Sequence, residues 1–282
     1  MLKIFAAACL LLLLNGCASI ISSATSKMAD NITLAMLNQN DPATVRDGAP
    51  AYLLMIDGLI SGDAENVDLL LGGAKLYGAY AGAFVEDEAR ARRLAVKSFD
   101  YAKRALCLDV EQLCGSLGDR LDDFMLKLDK TRKSDIRVIY GLAEAWAGWI
   151  RVNTNDWNAI ADISRLKALL RRCVELDEGF EGGGAHMYLG VLESQLPPAL
   201  GGKPELGRQH FEKALEISEG KNLMVSVLMA QYYARLVFDR ELHDSLLAKV
   251  NSAEADYPGY TMINMLAKQQ AEQLLAESDS FF

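Results

Sequence analysis

Three stretches of this sequence share one pattern of side chains, and that pattern limits the fold more than any other feature. Residues 102–109, 170–177 and 211–218 each carry an apolar residue, two mostly charged residues, a small residue and an aliphatic–x–aliphatic ending. The small residue is Ala105, Cys173 or Ala214. This spacing puts the apolar side chains on one face of an α-helix. Each stretch is therefore predicted to end an amphipathic helix whose small residue packs against a neighbouring helix.

The repeated stretches resemble the second helix of a tetratricopeptide repeat, a helical pair of about 34 residues. Ala105 and Cys173 lie 68 residues apart, twice that length, whereas Cys173 and Ala214 lie 41 apart. We assign the extra residues of the second interval to the loop Leu196–Pro204, because its prolines and glycines would break a helix. The matching first helices are predicted over 139–150, 184–195 and 223–238.

The predicted fold class is all-α, a tetratricopeptide-like helical-repeat solenoid. Asp41-Pro42 predicts a helix start, with an aspartate cap and proline at the first helical position. Gly48-Ala49-Pro50 predicts a second break in the chain. Small residues in segment 67–85 predict close helix approach, and β-hairpin signals are scarce. The alternative is an irregular α-helical bundle whose helix ends are alike by coincidence.

The first nineteen residues predict an exported, lipid-anchored protein. Lys3 precedes an unbroken apolar run over 4–14, and Leu14-Asn15-Gly16-Cys17 follows at once. This order is typical of a secretory signal that ends in a lipobox. The run is also shorter than the roughly 20 residues that span a bilayer. The alternative is an ordinary signal peptide in which Cys17 is incidental.

Cleavage before Cys17 would leave that cysteine to carry the lipid, with chains such as palmitate that anchor a protein stably. Ala18 and Ser19 follow instead of the aspartate that is associated with inner-membrane retention. We therefore expect the periplasmic face of a Gram-negative outer membrane. The predicted organisation is a signal peptide over 1–16, a lipidated tether over 17–27 and a single all-α helical-repeat domain over 28–282.

The charge balance limits the classes of partner. The chain has 29 basic and 38 acidic residues, a formal net charge of −9. This acidity argues against nucleic acid, which is bound by basic patches. No second apolar stretch approaches membrane length, so we expect membrane contact through the N-terminal lipid only.

The cysteines suggest one disulfide candidate. Cys107 and Cys114 lie seven residues apart at a predicted helix end, where a turn in an oxidising periplasm would let them bond. An uninterrupted helix would hold them too far apart, so the bridge stays open at this point. Cys173 lies among apolar helix positions and is expected to be a buried free thiol. No cysteine has a metal-ligand spacing, and no metal is predicted.

The segment 223–238 is apolar nearly all round, which indicates a helix covered on most sides. Its side chains fit either a plain core or the lining of an apolar cavity. The candidates for the lining of a cavity or pore are Tyr188, Met224, Leu228 and Tyr232.

The sequence contains no motif for catalysis or nucleotide binding. The three histidines have no second ligand at metal spacing, so we expect them at the surface or at helix ends. Neither an enzyme nor a cofactor is predicted.

Several short motifs occur in combination along this sequence. They are Asp47–Leu54, Ala145–Trp149, Gly182–Gly190, Leu200–Pro204, Phe211–Leu215, Asn222–Val225, Ala230–Arg235 and Asp239-Arg240. Together they resemble the T component associated with TRAP transporters, a family of TatT-like periplasmic lipoproteins. The resemblance covers roughly residues 28–277.

The resemblance implies a tetratricopeptide-like solenoid that forms a homotrimer, with a hydrophobic passage through each protomer. It also implies docking with the TRAP substrate-binding P component and transfer of a hydrophobic or organic-acid ligand. The family assigns no catalytic residue. The alternative function is a protein-binding scaffold lipoprotein in outer-membrane assembly or secretion; a third hypothesis, an envelope hydrolase, has no motif to support it.

Overall fold

The computed structural model describes residue 27 and residues 31–282, which form helices joined by loops, with no strand among them. The all-α prediction is therefore confirmed for these residues. The predicted signal peptide, Cys17 and nearly all of the tether lie outside them. Residues 31–37 are helical. The other α-helices are α1 (Pro42–Gly62), α2 (Val67–Phe84), α3 (Glu88–Asp109), α4 (Leu121–Leu128), α5 (Ile136–Arg151), α6 (Trp157–Leu176), α7 (Gly184–Glu193), α8 (Pro204–Ile217), α9 (Leu223–Leu228), α10 (Arg240–Ser252), α11 (Thr261–Ala276) and α12 (Ser278–Phe281).

Short non-α turns extend or connect these helices. A π-helical segment, Met229–Ala234, continues α9 without a break. The 3₁₀ turns are Glu111–Leu113, Ser116–Gly118, Lys133–Asp135, Phe180–Gly183 and Pro198–Leu200. None of the described helices is long and apolar enough to cross a bilayer.

The three repeated stretches are helix ends, as the pattern predicts. They fall at the C-termini of α3, α6 and α8. The small residues Ala105, Cys173 and Ala214 have no exposed surface. A larger side chain at any of them would have to displace a packed neighbour, because protein interiors contain few voids.

Helices that follow one another in the chain pack against each other. α1 packs on α2, α2 on α3, α5 on α6, α6 on α7 and α7 on α8. α5 also contacts both α2 and α3, so the helices α5 and α6 are joined to the helices α2 and α3. At the C-terminus, α10 and α11 pack on each other and around α9 and its π-helical extension.

The apolar interior follows the same order. A large cluster runs from Ala49 in α1 to Leu189 in α7 and contains the fully buried Trp146 and Phe124. A second cluster joins α9, α10 and α11, and a third surrounds Phe211 between α8 and the π-helical segment.

Glycines in α2 allow its neighbouring helices to approach closely. A Cβ atom at Gly73 in α2 would lie 2.9 Å from Cδ1 of Ile60 and 3.0 Å from the ring of Tyr101 in α3. At Gly78 it would lie 3.0 Å from Oγ of Ser98, which donates a hydrogen bond to the carbonyl oxygen of Ala74 (2.7 Å). The expected close approach of segment 67–85 is therefore present between α2 and its neighbours.

The prediction of a helix start at Asp41-Pro42 is confirmed, whereas the predicted break at Gly48-Ala49-Pro50 is wrong. The carboxylate of Asp41 accepts hydrogen bonds from the backbone N–H of Ala43 (3.0 Å) and Thr44 (3.3 Å). Helix α1 then runs through Pro50. Its apolar residues Ala49, Leu53, Ile56 and Ile60 are buried along one face. Burial of large aliphatic side chains, at about 1.5–3 kcal/mol each, outweighs one lost backbone hydrogen bond.

A disulfide joins Cys107 and Cys114, with their Cα atoms 4.5 Å apart. The pairing is geometrically feasible because α3 ends at Asp109 and the 3₁₀ turn Glu111–Leu113 folds the chain back. Cys173 is a buried free thiol, as expected. Burial raises its pKa to about 12, so the thiol is not expected to react at neutral pH.

The helices also bring the two ends of the described chain together. The backbone N–H of Gly259, just before α11, donates a hydrogen bond to Oδ1 of Asn38 (2.6 Å). α11 also contacts α1. Helix α1, the first long helix, is therefore in contact with α11, the last.

The close contact between α7 and α8 yields a stability prediction. A Cβ atom at Gly190 would lie 2.7–2.8 Å from three ring atoms of the buried Phe211. Gly190→Ala should therefore lower the free energy of unfolding by about 1–3 kcal/mol, the usual cost of overpacking. Gly148→Ala is the matched control, because nothing lies within 4 Å of its Cβ position in α5. It should be neutral or stabilise by up to about 1 kcal/mol. Urea unfolding of both variants checks this, and equal midpoints would contradict it.

Candidate functional site

Lys75 and Glu144 lie in the middle of two helices that are otherwise charged only near their ends. The other charged residues are Asp68 in the first turn of α2, and Arg137 and Arg151 in the first and last turns of α5. Lys75 is the only basic residue of α2, and Glu144 is the only acidic residue of α5. The helices α2 and α5 pack against each other. Neither residue was a candidate from the sequence, although a charge in the middle of an otherwise uncharged stretch of helix was a usable signal, because burying a charge is costly unless it is paired or functional.

Glu144 lies deep in the protein but keeps some accessible surface. Burial raises the pKa of its carboxyl group to about 7, and Glu181 adds to this rise. Lys75 and a hydrogen bond from Tyr140 act in the opposite direction. Its side chain is nevertheless only half-buried. The carboxyl group of Glu144 is therefore largely desolvated, although part of its side chain stays accessible.

Lys75 connects Glu144 to a second carboxylate. Its Nζ atom lies 3.2 Å from Oε2 of Glu181. Burial alone lowers the pKa of Lys75, but the carboxylates of Glu144 and Glu181 outweigh that effect and the net pKa is raised. Lys75 therefore stays protonated between two acidic side chains, the half-buried Glu144 and the exposed Glu181.

Three tyrosines complete this group of polar residues. Burial raises the pKa of Tyr140 and Tyr188 well above the usual range, and the nearby charge of Glu144 adds to both shifts. The pKa of Tyr260, in the turn before α11, is also raised by burial and then by Glu181. We call Lys75, Tyr140, Glu144, Glu181, Tyr188 and Tyr260 the Glu144 cluster.

Glycines make room for two of the tyrosine hydroxyls. A Cβ atom at Gly182 would lie 2.0 Å from Oη of Tyr260, and one at Gly184 would lie 2.0 Å from Oη of Tyr140. A side chain at either position would collide with the phenol, so the glycines at the start of α7 are needed for steric reasons. Residues 182–190 are also among the motifs that carry the family resemblance.

The turn before α7 brings Glu181 to Lys75. Glu181, Gly182 and Gly183 have φ values of +48°, +63° and +78°. A left-handed conformation is easy for glycine but costs a residue with a Cβ about 1–2 kcal/mol. The strained residue is therefore Glu181, whose carboxylate pairs with Lys75. Residues with a strained backbone are often found at binding sites.

All members of the Glu144 cluster come from alternate helices of the array or from the turns that begin them. Lys75 is on α2, Tyr140 and Glu144 are on α5, and Tyr188 is on α7. Glu181 and Tyr260 lie in the turns before α7 and α11. None comes from α3, α6 or α8. The cluster therefore uses the helices that precede α3, α6 and α8, together with the turns before α7 and α11.

The four predicted lining residues are all half-buried, but they are not grouped in one place. Tyr188 packs on the large apolar cluster and belongs to the Glu144 cluster. Met224 packs on the C-terminal cluster, and Leu228 packs on the cluster around Phe211. Met224, Leu228 and Tyr232 are spaced four residues apart along α9 and its π-helical extension. The π-helical geometry of this extension was not predicted from the sequence. Of the four predicted residues, only Tyr188 therefore belongs to the Glu144 cluster.

His186 and His243 lie in the first turns of α7 and α10, near helix ends as expected, but both are buried instead of at the surface. Nδ1 of His186 lies 2.8 Å from Nδ1 of His210, between α7 and α8. Burial, followed by the neighbouring His186, lowers the pKa of His210 to about 4. His243 lies 2.8 Å from Asp244 and 3.3 Å from Arg235. Polar partners compensate for the burial of these rings. Within the described residues, no three His, Cys, Asp or Glu side chains are placed to hold a metal ion.

A comparison with protein families identifies the type of protein. The family model of the TRAP transporter T-component (TAtT) matches residues 38–282. The chain belongs to the TRAP transporter T-component family. The resemblance found in the sequence motifs is therefore confirmed. A search of the curated proteins gave no match. The family consists of accessory proteins of a transporter, not of enzymes.

For a T component, the Glu144 cluster offers groups suited to binding a small molecule. It combines an ammonium group, a carboxyl group that changes charge near neutral pH, and phenol rings that are polar at one end and apolar elsewhere. Small organic ligands are commonly oriented by a few converging polar groups of these kinds.

The raised pKa of Glu144 predicts how stability depends on pH. The folded protein holds the proton of Glu144 up to about pH 7, whereas an ordinary glutamate, as in the unfolded chain, releases it near pH 4.5. Glu144 therefore makes its full contribution to stability below pH 4.5 and loses it as the pH rises through 7. Glu144→Gln removes this loss, so stability should fall less between pH 5 and pH 8 than in the wild type. The difference should be at most a few kcal/mol, since one pKa unit is about 1.4 kcal/mol.

Urea unfolding at a series of pH values checks this prediction. Glu272→Gln is the control, because it removes an exposed carboxylate from α11 and leaves the Glu144 cluster intact. Parallel pH profiles for the wild type and Glu144→Gln would contradict the account of this site.

Proposed function

We propose that the chain is a lipid-anchored accessory protein of a TRAP-type solute uptake system, which binds the substrate-binding P component and passes a ligand along its inner surface. Membership of the T-component family is the observation that carries this proposal. The family also favours it over a scaffold for outer-membrane assembly or secretion.

The proposed architecture is a tetratricopeptide-like solenoid. Neighbour-to-neighbour packing of α1 to α8 supports it, because stacked helical pairs contact mainly the adjacent pairs. The buried small residues at the ends of α3, α6 and α8 support a repeated unit. In such a stack the first helices share one side, which is the side that carries the Glu144 cluster.

The proposed ligand is a small hydrophobic molecule or organic acid. Tyr188, Met224, Leu228 and Tyr232 would provide half-buried apolar or aromatic surface on the same series of first helices. The polar end of the ligand would meet the Glu144 cluster. A binding role of this kind needs no catalytic residue, and we propose that the protein is not an enzyme.

The proposed location is the periplasmic face of the outer membrane, held by acyl chains on Cys17. The sequence Leu14-Asn15-Gly16-Cys17 supports this. We also propose a homotrimer, as the family resemblance implies.

Binding of the P component tests the proposed function. The full-length protein in detergent should bind the P component of the same TRAP system in a biolayer interferometry measurement, with a Kd of about 10 µM or lower. An unrelated periplasmic binding protein of similar net charge is the control. Absence of binding at P-component concentrations up to about 100 µM would contradict the proposal.

A further inference from the structure

Two parts of the chain depart from the helical-pair pattern, and neither contributes to the inner side. The first is the long connection between α3 and α5, which contains the disulfide and α4. The second is the loop between α7 and α8, residues 194–203. Both were conspicuous in the sequence, and the Glu144 cluster uses neither.

The connection between α3 and α5 and the loop 194–203 lie on either side of the outer face of α6. They enclose a cleft of about 350 Å³ that we call the outer groove. Its floor is formed by α6 residues spaced three or four apart, and its walls by α4 and the 194–203 loop. At 100° per residue, the floor residues lie opposite the buried face of α6. They are Ser164, Lys167, Ala168, Arg171, Arg172 and Glu175.

The walls of the outer groove are fixed to its floor. Nε of Arg165 donates a hydrogen bond to the carbonyl oxygen of Asp119 (3.2 Å), and Arg172 donates to the carbonyl oxygens of Asp129 (3.1 Å) and Thr131 (2.7 Å). On the other side, the N–H of Lys203 donates to the carbonyl oxygen of Glu193 (3.0 Å). The groove is therefore preformed, which reduces the ordering cost of binding a partner.

One end of the outer groove carries excess positive charge, although the protein is acidic overall. The buried carboxylate of Glu193 pairs with Lys167 (2.8 Å) and Arg171 (2.9 Å). Two cations on one carboxylate leave one net positive charge. The exposed Lys203 adds a second at the same end. The acidic residues Asp129 and Glu175 also line the groove.

Apolar side chains continue from the outer groove onto both rims. Met125 in the α4 wall is 43% exposed, and its neighbour Leu126 is 64% exposed. On the opposite rim, Leu200 is 68% exposed and Leu196 is 49% exposed. A molecule that filled only 350 Å³ would leave these rims uncovered, whereas a polypeptide crossing the groove would cover them.

We propose that the outer groove docks an acidic segment of the P component, with an aliphatic side chain between Met125 and the 194–203 loop and a carboxylate at Lys203 and Arg171. This inference rests on the proposed function, since it names the surface through which the partner binds. The docking surface lies on second helices and the inner surface on first helices, so partner and ligand would occupy different faces.

A charge-matched pair of double variants tests the docking surface. Leu200→Asp with Lys203→Glu changes two exposed groove residues that take no part in an apolar cluster. The control is Leu54→Asp with Lys249→Glu, at positions on α1 and α10 that are 73% exposed and exposed, respectively. Both double variants change the net charge equally, and thermal unfolding verifies that both fold. The probe is the P component, measured against each full-length protein by biolayer interferometry.

The groove variant should bind the P component at least about tenfold more weakly, whereas the control should stay within about twofold of the wild type. Wild-type affinity should also fall with added salt more steeply than that of the groove variant. Equal affinity for the wild type and the groove variant would overturn the inference and leave the proposed function standing. A wild-type protein that does not bind the P component would overturn both.

Discussion

Close contact between consecutive helices through small side chains is the constraint on which this structure depends. Ala105, Cys173 and Ala214 are completely buried at equivalent helix ends, and Gly73 and Gly190 admit neighbouring side chains where no Cβ would fit. Because each helix packs mainly on its neighbours in the chain, the apolar interior continues along the array. In the solenoid proposed above, side chains on the inner side and on the outer side are free to serve different purposes.

The two sides differ in chemistry. The side formed by the first helices holds Glu144, whose burial is tolerated because Lys75 and Tyr140 lie beside it. The side formed by the second helices carries the outer groove, where the chain leaves the repeat twice. Under the proposed function, the protein would meet both a solute and another protein. The Glu144 cluster and the outer groove would allow these contacts without competition for the same surface.

Much of this arrangement could be predicted from local sequence. The helix ends, the Asp41 cap and the buried thiol at Cys173 depend on neighbouring residues in the chain, and the prediction was confirmed at each of them. The predicted break at Pro50 failed because burial of one face of α1 outweighs a single proline. The surface placement of His186 failed because its partners, His210 and Glu178, lie on other segments. The pairing of Lys75 with Glu181, 106 residues away, depends on tertiary structure, so the sequence could suggest two unusual charges but not their meeting.

The central claim is that the inner side of this T component holds a small ligand at the Glu144 cluster. Native mass spectrometry of the full-length protein, released from detergent after purification from its own cells, tests it most directly. The account predicts an oligomer, a trimer under the proposal above, that carries extra mass from an extractable small molecule. Lys75→Met should lose that mass while it keeps the same oligomeric state. A protein without bound mass in both forms would contradict a ligand-carrying role and would favour a scaffold that binds proteins alone.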